Sequence, residues 1–246
     1  MNLFTVITVT YNAEDTLLRT LKSVQEQTYQ NIEHIIVDGN STDKTVELIK
    51  LHATESTRWI SENDEGIYDA MNKATAIAKG QYICYLNAGD AFYEKVTVEK
   101  LISTSQQYHH PDILYGETVI VDNEGVFLHN RRLKAPDRLH WKSFKQGMLV
   151  CHQAFIIKRS LFEPYNLTYR YSSDVDWCIR MMKKSKSIVN TNEVLIRYLN
   201  EGVTTTNRKA SLKERFHIMT KQYGSISTIL YHAWFVVRAI INPEKK

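Results

Sequence analysis

The chain has 246 residues, 43% of them hydrophobic and 24% charged, with a formal net charge of +4. That balance excludes a disordered, fibrous or disulfide-scaffolded protein, and a chain of this length buries about 70–75% of its unfolded surface without a cross-link or structural metal. Cys84, Cys151 and Cys178 lack the paired spacing of a zinc or redox site and read as inert thiols in a reducing cytosol. No basic segment precedes the apolar start and no apolar run reaches about 18 residues, so neither a signal peptide nor a membrane span is expected.

In chain order, Leu3 to Thr10 is a β-branched run ending at Tyr11-Asn12, followed by a helix with Leu17, Leu21 and Val24 on one face. Ile32 to Val37 is a second strand, stopped by Asp38-Gly39-Asn40; Ser41 or Thr42 is then placed to cap a helix carrying Val46 and Ile49. A third strand is expected around Trp59-Ile60, and Asp64-Glu65-Gly66 turns it into a helix over Tyr68 to Ala78. Gln81 to Leu86 is almost continuously apolar, as in a central strand buried on both faces, and runs into Asn87-Ala88-Gly89-Asp90. Strands alternating with helices predict a mostly parallel sheet covered on both sides.

The second half is less regular. Ile113 to Val121 and Val126 to Leu133 read as a hairpin across Asp122-Asn123-Glu124-Gly125. Ala154 to Ile157 and Ser187 to Arg197 are further strands, Asp174 to Lys184 is a helix, and two helices, Ser211 to Gln222 and Ile226 to Ile241, close the chain.

Ligands of open α/β sheets lie beyond the carboxyl ends of the strands. Three strand ends deliver polar residues there: Tyr11 and Asn12, Asp38, and Asn87 with Asp90. The glycine-rich dinucleotide fingerprint is absent after the first strand, which argues against nicotinamide binding, and no phosphate-cradling loop of the Walker type occurs. Carboxylates beside a diphosphate repel it unless a divalent cation intervenes, and Mg²⁺ or Mn²⁺ is held by one or two carboxylates plus substrate phosphates. Asp90 is the candidate ligand; turn chemistry is the competing reading for Asp90, as it is for Asp38 and Asp64 taken singly.

In order and spacing these residues resemble the family-2 inverting glycosyltransferases of the GT-A fold over about the first two hundred positions. Val6 to Asn12 is similar to the family's opening strand and Tyr-Asn turn, Asp38 in Val37-Asp38-Gly39-Asn40-Ser41-Thr42-Asp43 to its first nucleotide-binding aspartate, and Asp64-Glu65-Gly66-Ile67-Tyr68-Asp69-Ala70-Met71-Asn72-Lys73 to a longer donor-side motif. The resemblance implies an α/β fold of GT-A type, with a mostly parallel central sheet flanked by helices and C-terminal helices beyond it. It further implies transfer of a sugar from a nucleotide-diphosphate donor to a glycan or lipid-linked saccharide hydroxyl, with Thr10, Tyr11, Asn12, Asp38, Asp64, Asp69, Lys73 and Asn87 on the donor side. Asp90 takes the place of the family's metal-binding aspartate. Asn87 and Gly89 stand where acidic residues often precede it, so metal affinity is expected to lean on the donor diphosphate. Ser173-Asp174-Val175-Asp176-Trp177 resembles the acceptor-side acidic motif, with Asp174 as the general base; Asp174 is also placed as an N-cap, a role compatible with the first. Asp176, two residues on, points elsewhere on a helix. His152, Gln153 and the basic group Arg131, Arg132, Lys134 and Arg138 are weaker acceptor-side candidates, a structural histidine and a solvated face being the plainer readings.

From Asn207 onward eight basic residues face only Glu214 and Glu244, a net of +6 that leaves −2 for the rest of the +4 chain. The expected division is therefore a catalytic domain over 1–205 and a basic helical tail over 206–246. Ile226, Ile229, Leu230, Ala233, Trp234, Val237 and Ile241 recur at helical spacing, which fits a helix on an anionic membrane surface, a packed helix or a homodimer contact. The implied location is cytoplasmic, with a peripheral position on the inner membrane face as a variant. Nucleic acid is not an expected partner, because no aromatic pattern is interleaved with the basic residues. Two rivals remain open: a catalytically silent glycan-assembly or membrane-associated binding protein, and a sugar-phosphate nucleotidyltransferase. The second needs basic residues just after the first strand, where only Arg19 and Lys22 occur, already inside a helix.

Overall fold

Apolar runs alternating with amphipathic helices build one half of a nine-stranded sheet in the computed structural model, which describes residues 3–200 and 207–241. Strands β1 (Phe4–Thr10), β2 (Ile32–Asp38), β3 (Thr57–Ser61) and β4 (Tyr82–Tyr85) pair in parallel in the order β3-β2-β1-β4. All residues of β1 and β2 are buried, as expected for strands covered on both faces. The two faces of β2 show how the layers divide. Ile36 packs with Leu17 and Leu21 of α1 (Leu17–Gln25) and Ile49 of α2 (Thr45–His52), while Ile35 and Val37 join the large core with Met71 and Ala74 of α3 (Ile67–Ala76).

Antiparallel pairs enter beyond β4. β5 (Ala91–Phe92), β6 (Ile113–Val121), β7 (Phe127–Asn130), β8 (Phe155–Lys158) and β9 (Ile188–Leu199) extend the sheet in the order β4-β8-β6-β9-β5. β8 runs antiparallel to both β4 and β6, the β6–β7 hairpin stands where the turn residues put it, and β6 and β9 are parallel. The sheet is thus mixed, and the parallel character expected of it holds for the half that carries the polar loops.

Among the elements additional to the sequence reading are β5 and the helix α4 (Thr97–Gln107), which buries Val98, Leu101, Ile102 and Ser105. The capping of α2 also differs. The helix starts at Thr45, whose N–H is taken by Asp43 Oδ1 at 3.0 Å, because Ser41 and Thr42 are bound to Asp38 and Asn12 instead. The three cysteines are free and buried, and burial raises the pKa of each thiol, keeping it protonated and unreactive.

Helix α5 (Ser173–Lys184) is followed after β9 by α6 (Arg208–Tyr223) and α7 (Ser225–Ile241). The expected domain boundary between 205 and 206 lies outside the described residues. The first tail helix is nevertheless bound into the catalytic body: Glu214 accepts the N–H groups of Arg170 and Tyr171 at 2.9 and 2.8 Å, and Tyr223 donates its hydroxyl to Trp141 O at 2.6 Å.

Candidate active site

Parallel pairing brings the carboxyl ends of β1, β2, β3 and β4 to one edge, and the loops that follow are cross-linked there. Asn12, in the left-handed region at φ 46°, receives the Thr42 N–H on its Oδ1 at 2.9 Å and donates its own N–H to Ser41 Oγ at 2.8 Å. Asp38 is fully buried beneath this lattice. Its carboxylate accepts Ser41 N–H at 2.9 Å and the hydroxyls of Ser41 and Ser61, the latter at 2.6 Å. Asp38 therefore ties its own following loop, through Ser41, and the end of β3, through Ser61, to the end of β2, with no oxygen left facing solvent.

Tyr11 is the exposed member of the crevice, 64% accessible. Its ring lies near Gly39, and a Cβ at Gly39 would come within 2.7 Å of Asp64 Oδ2, so a side chain there would displace the Asp64 carboxylate. Asp64 Oδ1 receives the Gly66 N–H at 2.8 Å, which turns the chain into α3. Asp69 receives the Glu65 N–H at 3.1 Å, and Lys73 Nζ lies 3.0 Å from Glu62 and 3.2 Å from Asp69. Both thus shape the wall presented by the 62–69 segment.

The β4 end carries Asn87 and Asp90. Asp90 is 3% exposed; its oxygens accept Gln153 Nε2 at 2.9 Å and Leu199 N–H at 3.0 Å. Burial lifts its pKa to about 7 despite those bonds and the Arg19 charge. Gly89 approaches β9 so closely that a Cβ would sit 2.5 Å from Leu199. Arg19, inside α1, donates Nε to Gly89 O at 2.8 Å and reaches the carbonyls of Asp122 and Asn123, tying this loop to the hairpin turn.

The fit to a divalent cation rests on the same loop. Two buried oxygens, Thr10 Oγ1 at the end of β1 and Asn87 Oδ1 beyond β4, have no hydrogen-bond partner. Asp90, in the same loop as Asn87, adds a buried carboxyl whose pKa desolvation raises. An oxygen-only set of this kind suits Mg²⁺ or Mn²⁺. No group of three His, Cys, Asp or Glu side chains forms a metal cluster among the described residues, so such an ion would need substrate oxygens to complete its shell.

Across the crevice, α5 begins at Ser173 and presents Asp174, whose Oδ1 accepts the Tyr68 hydroxyl at 3.0 Å. Burial, and after it the Asp174 charge, raises the Tyr68 pKa well above its ordinary value, so Tyr68 stays a donor. This bond joins the 64–73 segment to the start of α5, 106 residues apart. Asp176 points away, accepting Arg180 Nε at 2.8 Å and Gln222 Nε2 at 2.9 Å from α6. No side-chain capping bond is made at the start of α5. Arg215 of α6 approaches closely enough to act electrostatically on Tyr68, and its buried Nε has no hydrogen-bond partner. The sequence signalled Arg215 only as part of a basic tail.

His152 sits in an aromatic layer, stacked on Tyr85 at 5.0 Å and bonded through Nε2 to the Tyr165 hydroxyl. Burial lowers its pKa to about 4, which fits a neutral structural ring. Gln153 serves Asp90, and Arg131 spends its guanidinium on the carbonyls of Leu133, Met148 and Leu149. Lys134 and Arg138 are exposed.

A sheet whose parallel strand ends hold a polar crevice, faced by a helix bearing a carboxylate, is the GT-A architecture of glycosyltransferases. The chain matches the glycosyl transferase family 2 model over residues 5–165 and belongs to that family. It is 29% identical to a PGL/p-HBAD biosynthesis glycosyltransferase of Mycobacterium bovis, over 99% of this chain and 98% of that one. It is 22% identical to UDP-Glc:alpha-D-GlcNAc-diphosphoundecaprenol beta-1,3-glucosyltransferase WfgD of Escherichia coli, over 88% and 85% of the two chains. The S. aureus TarS 1–349 structure in complex with UDP superposes with a TM-score of 0.72 at 16% identity, covering 98% of this chain and 72% of that one. The protein is a glycosyltransferase.

Proposed function

We propose that this glycosyltransferase moves a hexose from a nucleoside-diphosphate sugar to a hydroxyl of a glycan or lipid-linked saccharide, with inversion at the anomeric carbon. The observation that supports the reading is the 3.0 Å bond from the Tyr68 hydroxyl to Asp174, which joins the start of α5 to the segment that begins at Asp64.

A donor lying along Tyr11, Gly39 and the 64–69 turn presents its anomeric carbon toward α5. The acceptor hydroxyl enters from the α5 side. As its oxygen bonds to the anomeric carbon, the bond from that carbon to the diphosphate oxygen breaks, and the hydroxyl proton passes to Asp174. Tyr68 fixes the carboxylate's orientation through one oxygen and leaves the other for the proton. Attack from the face opposite the leaving diphosphate inverts the centre in one displacement. Asp90, with Asn87 and Thr10 beside it, would hold Mg²⁺ or Mn²⁺, which when bound neutralises charge on the departing diphosphate. The E. coli relative's name specifies a UDP-sugar and a lipid diphosphate acceptor, and these chemistries head the donor and acceptor candidates.

The test is thermal stabilisation by a panel of nucleotide sugars with and without Mn²⁺. A ligand at a hundredfold excess over its Kd adds roughly 2.7 kcal/mol of apparent stability. A stabilising donor is then assayed for transfer and hydrolysis. Absence of stabilisation by any nucleotide sugar rejects the reading.

A further inference from the structure

Helix α7 is turned inside out. A helix resting on a protein hides apolar side chains and shows polar ones. Here Thr228 is fully buried and Tyr231, His232 and Phe235 are half-buried, whereas Ile226, Ile229, Leu230, Trp234, Val236 and Val237 are 42–79% exposed. The helix's rotation is fixed from within. His232 meets the Phe216 ring at 4.9 Å and bonds to Thr228 O at 2.9 Å, and Lys145 Nζ lies 5.8 Å from the Tyr231 ring centre. Leu212 and Phe216 of α6, 52% and 40% exposed, add to the apolar surface of the hairpin. Contiguous apolar exposure of this kind marks an interaction site.

Charge decides what covers it. Lys142, Arg208, Lys209, Lys213 and Lys221 are exposed on α6 and the 141–146 turn. The one acidic residue of α6 and α7, Glu214, has its carboxylate drawn inward by the N–H groups of Arg170 and Tyr171. A two-fold contact with a second copy would bring these unopposed cations toward their own copies. An anionic bilayer neutralises them and accepts the apolar face together. No helix among the described residues is long and apolar enough to cross a membrane, and Trp234 on the outer face suits the headgroup boundary. We infer that the α6–α7 hairpin seats on an anionic lipid surface, with α7 lying in the plane of the headgroups and its outer face in the acyl boundary. This holds independently of the sugar-transfer reading.

Flotation of the full chain with phosphatidylcholine vesicles, with and without phosphatidylglycerol, tests it. The protein is expected to float only with the anionic vesicles and to be released by high salt. Leu230→Glu combined with Trp234→Glu, both outward-facing, is expected to lower the bound fraction about tenfold or more, with thermal unfolding unchanged. Lys209→Glu combined with Lys221→Glu, on the neighbouring helix, is expected to do the same and keeps the test decisive if the first variant misfolds. Failure of the wild type to float overturns the inference, as does undiminished flotation of the variants. Light scattering that shows a dimer, made monomeric by the Leu230→Glu and Trp234→Glu pair and without vesicle binding, gives the face to a second copy.

Discussion

Two aspartates two residues apart on α5 make opposite demands, so replacing each separates chemistry from stability. Asp174→Asn keeps an oxygen for the Tyr68 hydroxyl and removes the proposed proton acceptor. Turnover should fall about 10²–10⁴-fold, the usual contribution of a positioned base, equivalent to about 3–5 kcal/mol of barrier. Stability should move by less than about 0.5 kcal/mol. Asp176→Ala deletes a carboxylate only 3% exposed that holds Arg180 at 2.8 Å and Gln222 at 2.9 Å. Breaking a buried pair costs about 3–5 kcal/mol. Arg180 keeps Glu163 at 3.2 Å and the Pro164 carbonyl at 2.8 Å and is 24% exposed, so the expected loss is about 2–3 kcal/mol. In a chain of this size that is about 5–10 °C in Tm. Initial rates with saturating donor, taken well below either Tm, and thermal unfolding of both variants read the two effects. An active Asp174→Asn beside an inactive but fully stable Asp176→Ala would refute the assignment.

Tyr68→Phe should lower kcat about tenfold, the loss of a hydrogen bond to a charged group, and leave donor affinity measured by calorimetry unchanged. Asp90→Asn places an amide against Gln153, a cost of about 1–2 kcal/mol in unfolding, and should weaken Mn²⁺-dependent more than metal-free donor binding; equal weakening of both would remove Asp90 from the metal. Buried His34 and His152 have pKa values lowered to about 4, so the unfolded chain takes up their protons first and stability falls as pH drops from about 6.5 toward 4. Asp90, raised to about 7, runs oppositely and cancels about one of the two protons. Denaturant unfolding between pH 6 and 5 should therefore lose about 1 kcal/mol per unit, and His34→Gln, remote from the crevice, should make that slope nearly flat.

Local signals carried the parallel half of the fold. β1, β2 and β4 read as continuous apolar runs because both their faces are covered, and the polar residues that follow each run fall at one edge by the geometry of parallel pairing. The second half depends on pairings between distant segments. Nothing in Phe155–Lys158 says that it inserts between β4 and β6 in the opposite direction. Helix α4 was legible in the spacing of Val98, Leu101, Ile102 and Ser105 and needed only that count. At the site, the sequence supplied residue types but not their partners. Asp90 reads as an exposed turn residue until Gln153 and Leu199, 63 and 109 positions away, close over it. Asp38 reads as a ligand-facing carboxylate, yet Ser41 and Ser61 occupy it. Tyr68 lies inside the 64–73 motif with no local mark of its bond to Asp174, which is 106 positions away.

The central claim is a single displacement from a nucleotide sugar with Asp174 receiving the proton. Proton NMR of the anomeric centre during the first turnovers with a stabilising donor tests it most directly. An α-linked donor sugar is expected to appear as a β-linkage in the first product formed, and Asp174→Asn to form the same product more slowly. A first product with retained α-configuration would contradict it.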